Sequence, residues 1–417
     1  MIYLVILLLG FLLAGNHAVS KNFLYPPSLF TGIWLLSIIG LLLSGDTFYP
    51  VSIETLFVYF VGAIAFSIGG LVVFSGSAIN NVKPVSFTPR QTIKIYRFLD
   101  FFFLIVLIGF PFFGYFATKD ADFSNPLFLA AQRQADLNHE INNPLGNLLV
   151  IATFLAMGMH LNNDGSFSRK WRVYLSILIA VVYGGLTGTK GNAVQLIISL
   201  AFISFMRAGR INFVALGSLI TLALAVFAVG LLFVNFAYMD LDASSMDTIV
   251  FLVGEIQSYW LGGLVIFERI VQSPESMESA QHLNRFFLET ANSLGANFYV
   301  PSPNAVFTDA SPTIDGINTY TIYFSYFKDY GWSGVLLGMS MLGGVLTWIY
   351  RLARRGNPLA IIFYGVNTTG ILLSVQAEHF ILALNPYIKM LIFFYVMYYV
   401  AARFSILNHS TRGGQSA

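Results

Sequence analysis

The chain has no cysteine among its 417 residues. Disulfides, thiolate metal sites and a thiol nucleophile are therefore excluded, which suits an oxidising outer compartment. Charge is the second scarcity. Asp, Glu, Lys and Arg make up 10% of the chain, against about 25% in a soluble domain, too little to cover a water-facing surface. A net charge of +2 leaves no electrostatic footprint for nucleic acid. Also missing are a Walker loop, a GxGxxG turn, HExxH, GxSxG and any Cys/His cluster, so neither nucleotide-driven nor metal-driven chemistry is expected, and no cofactor or metal.

What the chain does have is hydrophobic residues, 56% of the total, with 16% aromatic. Cut at charges, Pro and Gly, the apolar runs fall at 2–18, 27–44, 53–74, 98–117, 145–161, 173–187, 192–206, 211–236, 331–350, 358–376 and 386–403. A helix needs about 20 such residues to cross a bilayer, so these runs predict an all-α polytopic membrane protein of about eleven transmembrane helices. The first run lacks a basic n-region and a small-residue cleavage site, and reads as a retained membrane helix. Pro111 suggests a kink in the fourth.

Basic connections mark the cytoplasmic side, and Lys83, Arg90, Lys94 and Arg97 occupy the connection after the third span. Alternating from there puts 15 of the 22 basic residues inside. Outside lie Lys119, Arg133, Lys190, Arg269, Arg285, Lys328 and Lys389, with every acidic residue except Asp100 and Asp164. The N-terminus then faces outward and the C-terminus inward. The chain divides into spans one to four (1–117), a first outer loop (118–144), spans five to eight (145–236), a large outer loop (237–330), and spans nine to eleven with a cytoplasmic tail (331–417).

Both long loops thus lie outside, and connections of that length are seldom mere turns. In the larger, residues 254–272 read as a helix with Glu255, Tyr259, Gly262, Ile266 and Arg269 on one stripe and the apolar remainder in the membrane interface. Residues 279–294 read as a second helix, with Ser279 as N-cap; Leu283, Phe287, Thr290 and Leu294 lie on one side, His282, Arg285 and Glu289 on another. Residues 297–318, broken by Pro301, Pro303 and Pro312, read as a loop or lid. The run Tyr320, Tyr323, Phe324, Tyr326, Phe327, Tyr330 and Trp332 reads first as an interfacial aromatic belt, with stacking on sugar rings as a second use.

The chemistry available is an outer-face set of cations, carboxylates and a histidine. Lys190 stands in the tight turn Leu186-Thr-Gly-Thr-Lys-Gly-Asn192, between two short spans. An intramembrane cation marks a functional position; snorkelling to lipid phosphates is the alternative. Arg269 and Arg285 carry forks that match phosphate oxygens, although pairing with Glu268, Glu289 or Asp329 would also account for them. His282 is a candidate general base near neutral pH, or a surface or hydrogen-bonding residue. Arg133 either closes over a substrate from the first loop or sits on a helix surface. Glu378, His379 and Lys389 crowd the last outer turn and read as a local ion pair.

In this arrangement the chain resembles the O-antigen and oligosaccharide repeat-unit polymerases of the Wzy type. The residues that carry the resemblance are Tyr25-Pro-Pro-Ser-Leu-Phe30 opening the second span, Leu186-Thr-Gly-Thr-Lys-Gly191, Asn318-Thr-Tyr-Thr321, and Lys328-Asp-Tyr-Gly-Trp-Ser-Gly334. Lysine at position 190 departs from the family's arginine and loses the bidentate fork. The resemblance implies a GT-C-like glycosyltransferase fold in a bacterial inner membrane, acting on undecaprenyl-diphosphate-linked oligosaccharide among membrane lipids, with a chain-length regulator and a flippase as partners. It assigns diphosphate and sugar binding to Lys190, Arg269, Arg285, Arg133 and Tyr320, and acceptor activation to His282, Glu289 or Asp329, with no metal. An O-antigen ligase shares this topology and donor. A flippase or transporter would place charges along a central cavity, whereas these spans are nearly free of charge, and a non-catalytic assembly partner is a further alternative.

Because the chain is free of cysteine, single-cysteine variants report sidedness directly. A cysteine at Asn297 is expected to react with a membrane-impermeant maleimide on intact spheroplasts, and one at Arg90 only after permeabilisation. The reverse pattern would overturn the orientation.

Overall fold

A computed structural model describes residues 1–74, 87–118, 144–162, 167–187, 191–218, 220–222, 225, 245–272, 281–300, 309–312, 314, 317, 319–382 and 384–410. Regular structure among them is helical apart from isolated bridge positions at Ser311, Ile314 and Ile317, the first two paired with each other. The helices are α1 (Ile2–Ser20), α2 (Pro26–Leu43), α3 (Ile53–Phe74), α4 (Pro89–Thr118), α5 (Pro144–Asn162), α6 (Phe167–Thr187), α7 (Gly191–Ala208), α8 (Ser245–Gln272), α9 (Arg285–Ser293), α10 (Tyr323–Arg354), α11 (Pro358–Leu372) and α12 (Leu384–Ser410). Six of them, α1 to α5 and α10, are long and apolar enough to cross a membrane, while α7 and α11 are apolar but shorter. The chain is thus an α-helical membrane protein. Each apolar run meets a helix, the run at 211–236 being described only in part and helical over 213–218. Large apolar side chains such as Leu36, Ile108 and Leu337 point outward, as a lipid-facing surface requires.

Helix ends follow from local chemistry. Pro26 and Pro27 open α2, where a missing N–H costs nothing and φ is already helical. Pro358 opens α11, and the Asn357 side chain accepts from the Ala360 amide at 3.1 Å, satisfying one orphan donor. Pro111 lies within α4.

The helices bury two cores. One gathers α4, α5, α6, α7, α11 and α12; the other gathers α1, α2, α3, α8, α10 and the chain around 310–322. In the second, Asn16 on α1 is buried, and its Nδ2 donates towards Ser67 Oγ at 3.0 Å, Thr31 Oγ1 at 3.1 Å and the Pro27 carbonyl at 3.3 Å. One amide thereby joins α1, α2 and α3 where the surroundings offer no water. The motif residues Tyr25 to Phe30 serve packing. Tyr25 is buried with its ring 4.9 Å from Phe74, Phe30 stacks on Phe66 at 4.2 Å, and the Leu24 carbonyl accepts from the Tyr364 hydroxyl.

Helices α3 and α10 cross with backbone against backbone. A Cβ added at Gly69 would lie 1.8 Å from the Ser340 carbonyl oxygen, and one at Gly343 2.0 Å from that of Phe66. Small residues at such crossings let dispersion act over the whole contact.

Helix α10 is two helices joined at Gly331, whose φ of 58° and ψ of −144° interrupt the helix in a region that a side chain disfavours. The turn folds the short helix 323–330 back along the long one, so that Gly334 lies under the Tyr326 carbonyl. The preceding segment runs down between helices: Ile317 packs on Gly262, the Thr319 carbonyl approaches Gly263, and the Ile322 amide donates to the Ser374 carbonyl at 2.7 Å. Tyr323 then sits against Trp34 and Tyr59, its hydroxyl donating to the Tyr59 carbonyl at 3.2 Å. The expected aromatic belt is therefore mostly core. Tyr320, Tyr323, Phe324, Tyr326 and Phe327 are buried, whereas Tyr330 is exposed, because the hairpin packs these rings between helices instead of against lipid.

Replacing Gly343 by alanine forces the α3–α10 crossing apart, a loss of about 1–3 kcal/mol by overpacking. Gly10→Ala, with nothing within 4 Å of the added carbon, serves as control. The thermal midpoint in detergent is expected to fall for Gly343→Ala alone; equal midpoints would refute the close crossing.

Candidate functional site

Helix α8 reaches the end of the bundle where α2 passes to α3, with Glu268 beside Ser52. Helix α8 begins at Ser245, nine residues before the expected start, and its second half is seated on the bundle. Leu261, Leu264, Val265 and Phe267 are buried, the Tyr59 hydroxyl donates to the Leu264 carbonyl at 2.6 Å, and Trp260 Nε1 donates to Ser37 Oγ at 3.0 Å. Glu268 accepts from the Ser52 amide at 2.8 Å. Arg269, next to it, is exposed.

The second loop helix is shorter than the expected 279–294. Helix α9 starts at Arg285 after a turn through His282 and Leu283. The cause is a competing acceptor: Asp329 takes the Leu283 amide on Oδ2 at 2.9 Å and faces His282 Nδ1 with Oδ1 at 3.2 Å. Its carboxylate is fully shielded from solvent, and the His282 side chain is 10% exposed. Ser279 lies outside the described residues.

Phe324 completes the joint. Its ring stands edge to face with His282 at 5.4 Å, tilts on Tyr320 at 4.5 Å and carries Lys328 Nζ at 5.6 Å. So His282, Asp329 and Tyr320, read separately from the sequence, come together. Both carboxylate oxygens of Asp329 are engaged, which suits it to hold the imidazole and fix Nδ1–H, leaving Nε2 as the free basic nitrogen. Chemically, an imidazole held by a carboxylate in this way could serve as a base with its orienter.

Arg285 and Glu289 pair with each other along α9, Nε to Oε1 2.7 Å, with side chains 23% and 45% exposed. The Phe287 and Leu294 side of α9 is exposed. Lys190 and Arg133 lie outside the described residues. The expected lid is partly packed down: Ala310 is buried and its carbonyl accepts from the Tyr49 amide at 2.9 Å.

A second polar group lies in the turn between α11 and α12, beside Phe380 and Ile381. Glu378 is buried and its carboxylate accepts from the Phe380 and Ile381 amides at 2.9 Å each and from Leu382 at 2.7 Å. Burial raises its pKa while those amides lower it. Lys389 is exposed, and among the described residues no ion pair joins it to Glu378. His379, beside it, lines a cavity of about 260 Å³ between α5, α7, α11 and α12. Its Nε2 is buried without a hydrogen-bond partner, and burial pushes its pKa down to about 4. No sequence signal separated this histidine from its neighbour. The cavity exists only once four distant helices meet. Among the described residues no group of His, Asp and Glu could hold a metal ion.

No known protein family, curated protein or solved structure matches this chain.

Between pH 6.5 and 4 the unfolded chain protonates His379 while the folded chain keeps it neutral. The unfolded state then binds more protons, so stability falls as pH drops through that window. The thermal midpoint in detergent is expected to fall more between pH 7 and pH 5 for wild type than for His379→Asn; equal losses would refute a neutral buried imidazole.

Proposed function

We propose that the chain polymerises undecaprenyl-diphosphate-linked oligosaccharide repeat units into a surface polysaccharide at the periplasmic face of a bacterial inner membrane. The observation that supports this reading most is the pairing of His282 with Asp329 within Lys328-Asp-Tyr-Gly-Trp-Ser-Gly334, one of the segments on which the resemblance to repeat-unit polymerases rests.

In this reading a hydroxyl of the incoming unit attacks the anomeric carbon of the growing chain. The new C–O bond forms as the bond to diphosphate breaks. His282 Nε2 takes the hydroxyl proton, and Asp329 stabilises the imidazolium that results. The electron pair leaves with lipid diphosphate, whose charge is met by Arg269, Arg285 and Lys190, Arg133 and Tyr320 contacting sugar. Glu289, paired with Arg285, tunes a cation instead of acting as base. Diphosphate is a good leaving group, so the protein's task is placement and charge compensation.

The test is deletion of the gene in its bacterial host, with surface polysaccharide run on a gel and complementation by wild type, His282→Ala, Asp329→Asn and Lys190→Ala. The expected outcome is a ladder collapsed to carrier plus one repeat, rescued in full by wild type only, with Asp329→Asn restoring part of the polymer and His282→Ala less. Loss of every repeat would favour a ligase or flippase, and an unchanged ladder would refute the reading.

A further inference from the structure

The cavity beside His379 is not used by the proposed reaction. Its walls are largely apolar, including Leu149, Phe154, Val366 and Met390, and none of its lining residues is Asp, Glu, Lys or Arg. Polar groups are few. Ser199 and Thr369 hydrogen bond to each other at 3.1 Å, and Thr153 donates to the Leu149 carbonyl at 2.9 Å. The Tyr387 hydroxyl donates to the His379 carbonyl at 3.0 Å; Gln195 and His379 remain, and His379 Nε2 is buried without a partner. A buried nitrogen with no partner has lost its hydration without compensation, which a ligand hydroxyl would recover. Mostly apolar walls with a few convergent polar groups are the usual make-up of a small-molecule site, and the volume is close to the lower end of roughly 300–1,000 Å³ for such sites.

We propose that this cavity binds an uncharged, chain-like molecule with a single hydrogen-bonding head, the chemistry of a long-chain alcohol, its head on His379 Nε2 and Gln195 and its tail along Leu149, Phe154 and Met390. Charged heads are disfavoured because the walls hold no counter-ion and an unpaired charge there is costly. The cavity shares no lining residue with the His282–Asp329 pair, and the proposal does not depend on the polymerase reading.

The probe is a diazirine-bearing decanol, applied to the full-length protein in lipid nanodiscs and mapped by peptide mass spectrometry. Saturable labelling of the peptides holding Met157 and Met390 is expected, competed by 1-dodecanol and not by dodecyl phosphate or dodecyltrimethylammonium. His379→Phe should lower that labelling roughly three- to tenfold, the weight of one hydrogen bond. Val366→Phe, which fills the cavity, should abolish it, with Met390→Trp as a second filling variant if the first does not fold. Absent labelling, equal competition by dodecane together with an unaffected His379→Phe, or competition by dodecyl phosphate would each overturn the proposal.

Discussion

A backbone that leaves helical geometry inside an apolar bundle must find every hydrogen bond within the protein, because lipid supplies none. The segment from Thr319 to Gly331 answers part of this demand with borrowed partners. Ser374, just past the end of α11, accepts the Ile322 amide on its carbonyl and the Trp34 indole on its hydroxyl. Tyr59 donates to α8 and accepts from Tyr323. These few bonds tie α2, α3, α8, α10 and α11 at one level. The glycine-lined crossing of α3 and α10 then brings the long part of α10 close enough for the short helix to turn back on it.

The same hairpin positions the His282–Asp329 joint. Asp329 lies two residues before the turn at Gly331, so its carboxylate is held by a rigid element and in turn holds a loop residue. Catalytic groups work best when their own rotamers are fixed by such support. Neither residue of the pair lines the cavity at His379, whose lining holds no Asp, Glu, Lys or Arg. The chain thus offers a loop-borne polar centre and an apolar recess in different cores, two environments suited to the two ends of an amphipathic molecule.

Much of the helical architecture was legible in the sequence. Long apolar runs need no partner to be recognised, and each one meets a helix. Less legible was which face of a helix looks at protein and which at lipid, since both faces are apolar and carry no periodic signal. That is why the rings from Tyr320 to Phe327 read as an interfacial belt and are in fact core. Helix α9 came out too long for a related reason. Pattern marks the residues able to be helical, but a carboxylate 46 residues away claims the Leu283 amide first. Glu378 read as one half of an ion pair and instead gathers three backbone amides, a choice made by a turn that no residue type announces. His282, Asp329 and Tyr320 could be listed as candidates individually; their meeting depends on Gly331, whose backbone angles are invisible until the chain is folded.

Asn16 bears on how the protein is assembled. Its partners all lie within the first 67 residues, so α1, α2 and α3 can lock together soon after the third helix emerges from the synthesis machinery. The glycine face of α3, by contrast, fits a helix made much later. Until α10 arrives, that face must stay open to lipid or to a passing helix, and fidelity of insertion rests on an early polar clasp protecting a late apolar seat.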